Sequence, residues 1–195
     1  MAENIVEQIQ KNLGFAPLHK IDPNTQEVKL NDSVGEDKTL AQAAIPAVLL
    51  GLYKYGGTEQ GAEEILHGTR SADWLGIFYD EKKDDTVQKV AAYAQTTEQQ
   101  ATQRMETIAA EAVRIVKQQL PAKSTYAQVK DYIVQQRKTI LVYLPAELQL
   151  GYLMNDNTID DRTNKMEGPM SNSMHFIERI FSSSTTEKNE LSPED

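Results

Sequence analysis

The sequence predicts an all-α protein, and three observations carry that expectation. Apolar residues recur at helical spacing along most of the chain. Capping residues stand before these stripes, and Gly or Pro stands after them. Stretches with enough β-branched and aromatic residues for a strand are short and few. Together they describe one compact domain over residues 1–181 with about six to eight helices, its core helices at 40–117 and a C-terminal helical extension at 120–181.

In chain order, Ile5, Val6, Ile9 and Leu13 make the first stripe, which Gly14 ends. Residues 15–36 break the pattern. Asp22-Pro23-Asn24 is turn chemistry, and Ile21, Val28 and Leu30 suit a small hairpin or an ordered loop near the N-terminus. The most apolar segment is 37–55, with Ala44, Ile45, Val48, Leu49 and Leu52 on one helical face. Pro46 lies inside it and predicts a kink or break just before it, because a mid-helix proline loses a hydrogen bond and crowds the preceding turn. Thr58 caps a short helix closed by Gly68, and Ser71 caps another over Ala72–Tyr79. Asp84 or Asp85 opens a helix through Ala94, and Thr97-Glu98-Gln99-Gln100 has capping-box spacing for a long helix to Gln119. Ser124 or Thr125 opens the next, carrying Tyr126, Val129 and Ile133. Thr139–Tyr143 suits a strand or a buried helix end equally, and Pro145 suits the first turn of a helix to Met154. Residues 155–169 are polar and turn-rich. Met170, Met174, Ile177 and Phe181 then recur at the spacing of a last amphipathic helix, and 182–195 reads as a disordered acidic tail.

Composition narrows the function. The chain has no cysteine, which excludes disulfides, thiolate zinc sites and thiol nucleophiles and fits a reducing, cytoplasmic setting. Its net charge of −9 and the lack of any Lys/Arg cluster argue against nucleic acid or an anionic membrane as partner. The longest apolar stretch, Ala43–Tyr53, is about half of the ~20 residues that a membrane span needs, so no membrane insertion is expected. The N-terminus lacks the apolar run of a secretory signal.

Candidate chemistry is sparse. His19, His67 and His175 fall in separate elements without ligand spacing. The weak metal candidate is 156–167, which places Asp156, Asp160 and Glu167 as in a calcium loop. Asp161 stands where the loop's turn requires Gly, and Arg162 and Lys165 add positive charge, so no tight calcium binding is expected. Glycine-rich phosphate loops and nucleophile elbows are absent, and no cofactor is implied. Thr39–Val48 and Thr107–Val116 share one pattern of Thr, aliphatic, Ala, Ala, aliphatic and Val at matching positions, as duplicated or independently close-packed helices would.

From Leu40 to Gly68 the sequence has an alanine-rich start (Ala41, Ala43, Ala44), then Pro46, the run Val48-Leu49-Leu50, a polar turn, and Gly61-Ala62-Glu63-Glu64-Ile65. It resembles the YidB-like bacterial family of uncharacterised function, and Val90–Val116 is more loosely similar to that family's following helices. The resemblance spans residues 40–117 and implies a compact bacterial α-domain with no assigned activity. The insertion at 15–36 and the extension at 120–195 depart from it.

By elimination, the expected function is a non-catalytic module that binds a protein partner or forms a homo-oligomer, with Met170, Met174, Ile177 and Phe181 as its contact stripe. The alternative is a small-molecule-binding protein or small enzyme with a pocket near Trp74, Tyr79 and Tyr93 and a carboxylate from Glu63 or Glu64. Truncation after Gly168 separates a latch from a docking element. If the stripe is a latch, the truncated chain loses thermal stability; if it docks a partner, stability holds while association disappears, and no change in either leaves the stripe without a role.

Overall fold

A helix that is apolar on every face can satisfy itself only in the middle of a structure. Residues 40–52 are such a helix: every one is buried, from Leu40 through Ile45 and Val48 to Leu52. In a computed structural model describing residues 4–22, 24–25, 27–28, 36–67, 73–121 and 123–160, this segment is the axis around which the others pack.

The helices, in order, are α1 (Ile5–Leu13), α2 (Glu36–Gly56), α3 (Glu59–His67), α4 (Trp74–Tyr79), α5 (Lys83–Ala94), α6 (Glu98–Gln119), α7 (Tyr126–Leu141), α8 (Leu150–Leu153) and α9 (Asn157–Asp160). Single 3-10 turns occupy Asp80–Lys82 and Ala146–Leu148. The central α2 meets α6, α5, α7, α4, α3 and α1. The fold class is all-α, with no strand among the described residues. These residues all lie in one unit, 1–165. The expected helix at 170–181 and the tail at 182–195 lie outside them.

Local signals account for most boundaries. Asn4 Oδ1 accepts from the Val6 N–H at 3.0 Å and starts α1. Thr97 Oγ1 accepts from the Gln100 N–H at 3.2 Å, and Gln100 Oε1 accepts from the Thr97 N–H at 3.4 Å, the reciprocal pair of a capping box at the head of α6. Gln128 Oε1 takes the Thr125 N–H at 2.9 Å before α7.

Several expectations change. Of the kink or break predicted at Pro46, the break does not occur: one continuous helix runs through the proline. The proline costs about 3 kcal/mol in an isolated helix, but neighbours on every side hold the two halves of α2 together. Asp73, not Ser71, caps α4: its Oδ1 accepts from the Gly76 N–H at 2.8 Å, while Ser71 and Ala72 lie outside the described residues. Helix α5 begins at Lys83, just ahead of Asp84. Thr139–Tyr143 is the end of α7 and the turn after it, not a strand. The single helix expected from Pro145 is split by Gln149, whose left-handed backbone (φ 47°) separates a 3-10 turn from α8. The polar 155–169 stretch contains the short helix α9. In the segment expected as a small hairpin or ordered loop, the Asp22 N–H donates to the Glu27 carbonyl at 2.9 Å and no described residue is in a strand; Leu30 lies outside the described residues.

Two features seat the neighbours of α2. Gly51 lets α4 approach closely, since a Cβ there would lie 2.7 Å from Tyr79 Cε2 and 3.0 Å from Phe78 Cβ. Gln42, 1% exposed, uses its whole amide: Oε1 accepts from the His19 N–H at 2.8 Å, and Nε2 donates to the carbonyls of His19 at 2.9 Å and Tyr143 at 3.0 Å. The loop after α1 and the turn after α7 are thereby tied to one side chain, and the Ile21 N–H adds a bond to the Val142 carbonyl at 2.9 Å. Gln42→Leu keeps the volume and removes the partners of the buried Tyr143 carbonyl and of two part-buried His19 groups, so the expected loss is about 2 kcal/mol, read as a lower urea midpoint at unchanged slope. A loss below about 0.5 kcal/mol would show that water replaces the amide.

Candidate functional site

Of the aromatic residues named for a pocket, Tyr79 lines a groove along α4, and Trp74 and Tyr93 are not among that groove's lining. Trp74 and Tyr79 are buried in α4. The Tyr79 hydroxyl donates to the Ala47 carbonyl at 2.5 Å, and burial pushes its phenol far above the ordinary value. Tyr93 sits on α5 near Glu147; burial, then that carboxylate, pushes it up to about 12. Glu63 points to solvent. Only Glu64 joins an aromatic residue, and its partner is Tyr55, whose hydroxyl donates to its carboxylate.

The turn from α2 into α3 makes that pairing. Thr58 Oγ1 donates to the Tyr55 carbonyl at 2.7 Å and accepts from the Gly61 N–H at 3.0 Å. Gly61 is required, because a Cβ there would lie 2.0 Å from the Tyr55 carbonyl oxygen. The reversal sets the last turn of α2 beside the middle of α3. Gln60 Nε2 adds a bond to Glu64 at 3.0 Å. The Tyr55 hydrogen bond, then Gln60, holds the Glu64 carboxyl below its usual range, while burial and then Glu64 raise the Tyr55 phenol. At neutral pH the pair is a neutral donor on a carboxylate, with no activated nucleophile.

Tyr55 faces an open groove of about 610 Å³ along α4, lined by Asp73, Gly76, Ile77, Phe78, Tyr79 and Asp80. The Tyr55 and Phe78 rings lie 5.9 Å apart at 44°, and Phe78 lies 5.9 Å from Trp74. Lys83 binds Asp73 at 2.8 Å and Glu106 at 3.3 Å, and that lysine is the main reason the Asp73 carboxyl titrates low. Asp80 ends α4 with φ 49° and ψ −128°, a conformation that glycine adopts freely and other residues rarely. Its N–H reaches the Gly76 carbonyl and its side chain is exposed.

A second cavity, about 520 Å³, lies between the starts of α2 and α6 and is lined by Asp37, Leu40, Thr96, Gln100, Gln103, Arg104 and Thr107. Its charges are spent on each other: Arg104 binds Asp37 at 2.5 Å and lies 5.2 Å over the Phe15 ring.

The metal candidates serve the C-terminal end of the described fold. Asp156 pairs with Lys54 of α2 and accepts from Thr158 Oγ1 at 2.6 Å; burial acts to raise its carboxyl, but Lys54 and Thr158 prevail and lower it. The Asp160 carboxylate accepts from the N–H groups of Gly151 at 3.2 Å and Tyr152 at 2.9 Å, joining α9 to α8. Lys82 Nζ reaches the Leu153 carbonyl at 2.7 Å, and Arg137 reaches the Thr158 carbonyl at 3.1 Å. Among the described residues no three His, Asp or Glu side chains gather as metal ligands. Glu167 and the stripe Met170, Met174, Ile177 and Phe181 lie outside them. No described helix is long and apolar enough to cross a membrane.

No protein-family model matches the chain, and neither a curated protein nor a solved structure is similar to it.

The raised tyrosines give a signed pH dependence. A phenol whose value rises on folding contributes stability that is whole below its unfolded value of 10.0 and disappears as pH climbs through the folded one, about 12 for Tyr93. The urea midpoint should therefore fall as pH rises from about 10 toward 12, and Tyr93→Phe should lessen the fall. Identical profiles for the two proteins would show that Tyr93 ionises as freely folded as unfolded.

Proposed function

We propose that the chain is a non-catalytic protein-interaction module whose contact surface includes the groove along α4. The observation that carries this reading is the groove itself, an open surface beside the half-buried Tyr55 and Ile77 and the exposed Asp73 and Asp80. An enzyme pocket is expected to be enclosed and to aim a nucleophile or general base at a substrate. Here the titratable pair is a phenol raised by burial and a carboxylate stabilised as an anion, and both shifts oppose proton transfer near neutral pH. A small-molecule or enzymatic role at Trp74, Tyr79 and Tyr93 is the weaker reading, because two of those rings are core and the third lies near Glu147. Placement in the cytoplasm, and membership of residues 40–117 in a YidB-like family, belong to the same proposal; the acidic, cysteine-free composition supports the first and the motif from Leu40 to Gly68 the second.

The test is a photo-crosslinking amino acid in place of Ile77, which lines the groove, with a second version at Ala127, exposed on α7. Irradiation in the native cell extract should give discrete protein adducts from position 77 and none from position 127; an adduct of twice the chain's mass identifies self-association. Adducts from both positions, or from neither, overturn the proposal.

A further inference from the structure

We infer that residues 149–160 form a strap that opens as a unit from the intact helical body and is latched shut by cations of three other elements. The inference is independent of what the groove along α4 binds.

The strap is folded on itself. Helices α8 and α9 pack chiefly against each other. The Met154 N–H donates to the Leu150 carbonyl at 2.9 Å, and the Asp156 N–H to the Gly151 carbonyl at 2.8 Å. The Asp160 carboxylate then accepts from the Gly151 and Tyr152 N–H groups. That approach needs Gly151, since a Cβ there would lie 2.4 Å from Asp160 Oδ2. Two left-handed residues that are not glycine flank α8, Gln149 at φ 47° and Asn155 at φ 52°. Such backbone is unfavourable for a residue with a Cβ and persists only while its surroundings hold it, which places the hinge at Gln149.

Attachment to the body is different in kind. Lys54 of α2 pairs with Asp156. Lys82 Nζ, from the 3-10 turn after α4, donates to the Leu153 carbonyl at 2.7 Å. Arg137 of α7 donates to the Thr158 carbonyl at 3.1 Å and to Thr158 Oγ1 at 3.0 Å. Three cations from three elements thus converge on one short segment. The Lys54 and Asp156 side chains are 35% and 20% exposed, so solvent ions screen the pair and it latches weakly. Packing adds Leu150 and Ile159, both fully buried, and release uncovers the apolar seats of these two side chains. The central α2, by contrast, is buried at every residue from Leu40 to Leu52. A segment with few apolar contacts and screened charge contacts opens before the body does. The strap's two helices have four residues each and do not persist alone, so opening frees their amides to exchange with solvent.

The experiment is hydrogen exchange of the full chain, read by mass spectrometry of its peptides. At low salt the amides of 150–159 should exchange at least about a hundredfold faster than those of 40–52. Lys54→Met keeps the apolar stem, removes one latch, and should speed 150–159 about fivefold while leaving 40–52 unchanged. Arg114→Met removes the same charge from a pair on α6 and should leave 150–159 within about twofold of wild type. Exchange of 150–159 and 40–52 at one common rate shows a single cooperative unit and overturns the inference. A Lys54→Met chain that speeds both segments together overturns it for the same reason. Equal acceleration of 150–159 by the two variants, or none by Lys54→Met, shows that charge contacts do not latch the strap and overturns it as well.

Discussion

Burial of α2 on every face from Leu40 to Leu52 is the constraint from which the rest of the structure follows. A helix so placed must meet each neighbour with small or aliphatic residues, and its polar groups must find partners without water. The segment meets the first demand with Ala41, Ala43, Ala44 and Ala47, all at most 2% exposed. It meets the second with Gln42, whose amide replaces water for three backbone groups. Two other buried glutamines act in the same way at the periphery. Gln136 Oε1 accepts from the Ile5 N–H at 3.3 Å, and Gln10 Nε2 donates to the Ala16 carbonyl at 2.9 Å. Gln42 and Gln136 thus help to join the N-terminal segment to α7 and the turn after it through amides, which hydrogen-bond without the desolvation cost of a buried charge.

The helices were legible where a local rule decides them. Thr97–Gln100 is a capping box in sequence and in structure, and Thr125, one of the two openers read for α7, is tied to Gln128, because such bonds join residues three apart. Where tertiary contacts decide, the sequence misleads. Pro46 breaks an isolated helix, yet α2 runs past it because the loss is local and the packing around it is not. Gln149 carries no Gly-like signal but adopts positive φ, which turns the chain where a longer helix was expected. The matching patterns at Thr39–Val48 and Thr107–Val116 fall on α2 and α6, which pack against each other. In both segments the five aliphatic and alanine positions are buried, from Leu40 to Val48 and from Ile108 to Val116. Close packing of two helices explains the shared residue types, with or without a common origin.

The site was less legible, for a geometric reason. Tyr55 and Glu64 are nine residues apart and belong to different helices, so no periodicity links them; only the reversal at Thr58 and Gly61 does. Adjacent Glu63 and Glu64 looked equivalent in sequence, yet one meets solvent and the other a phenol. Asp156 and Asp160 matched ligand spacing because Asx turns and helix caps draw on the same residue types as calcium loops. Their oxygens instead serve Lys54, Thr158 and the N–H groups at the start of α8.

Core and groove are coupled through a single short helix. Gly51 admits α4 against α2, and the Tyr79 hydroxyl fastens it to the Ala47 carbonyl at 2.5 Å. Phe78, the residue before, is then fixed with its ring between those of Trp74 and Tyr55. At the other end Asp73 caps the helix and Lys83 holds Asp73, tying α4 to the first turn of α5. A six-residue helix has little stability of its own, so its position is the sum of these attachments. The groove floor therefore inherits its rigidity from the central helix. A rigid floor lowers the cost of ordering a surface on binding, which is the condition under which a shallow groove can still bind.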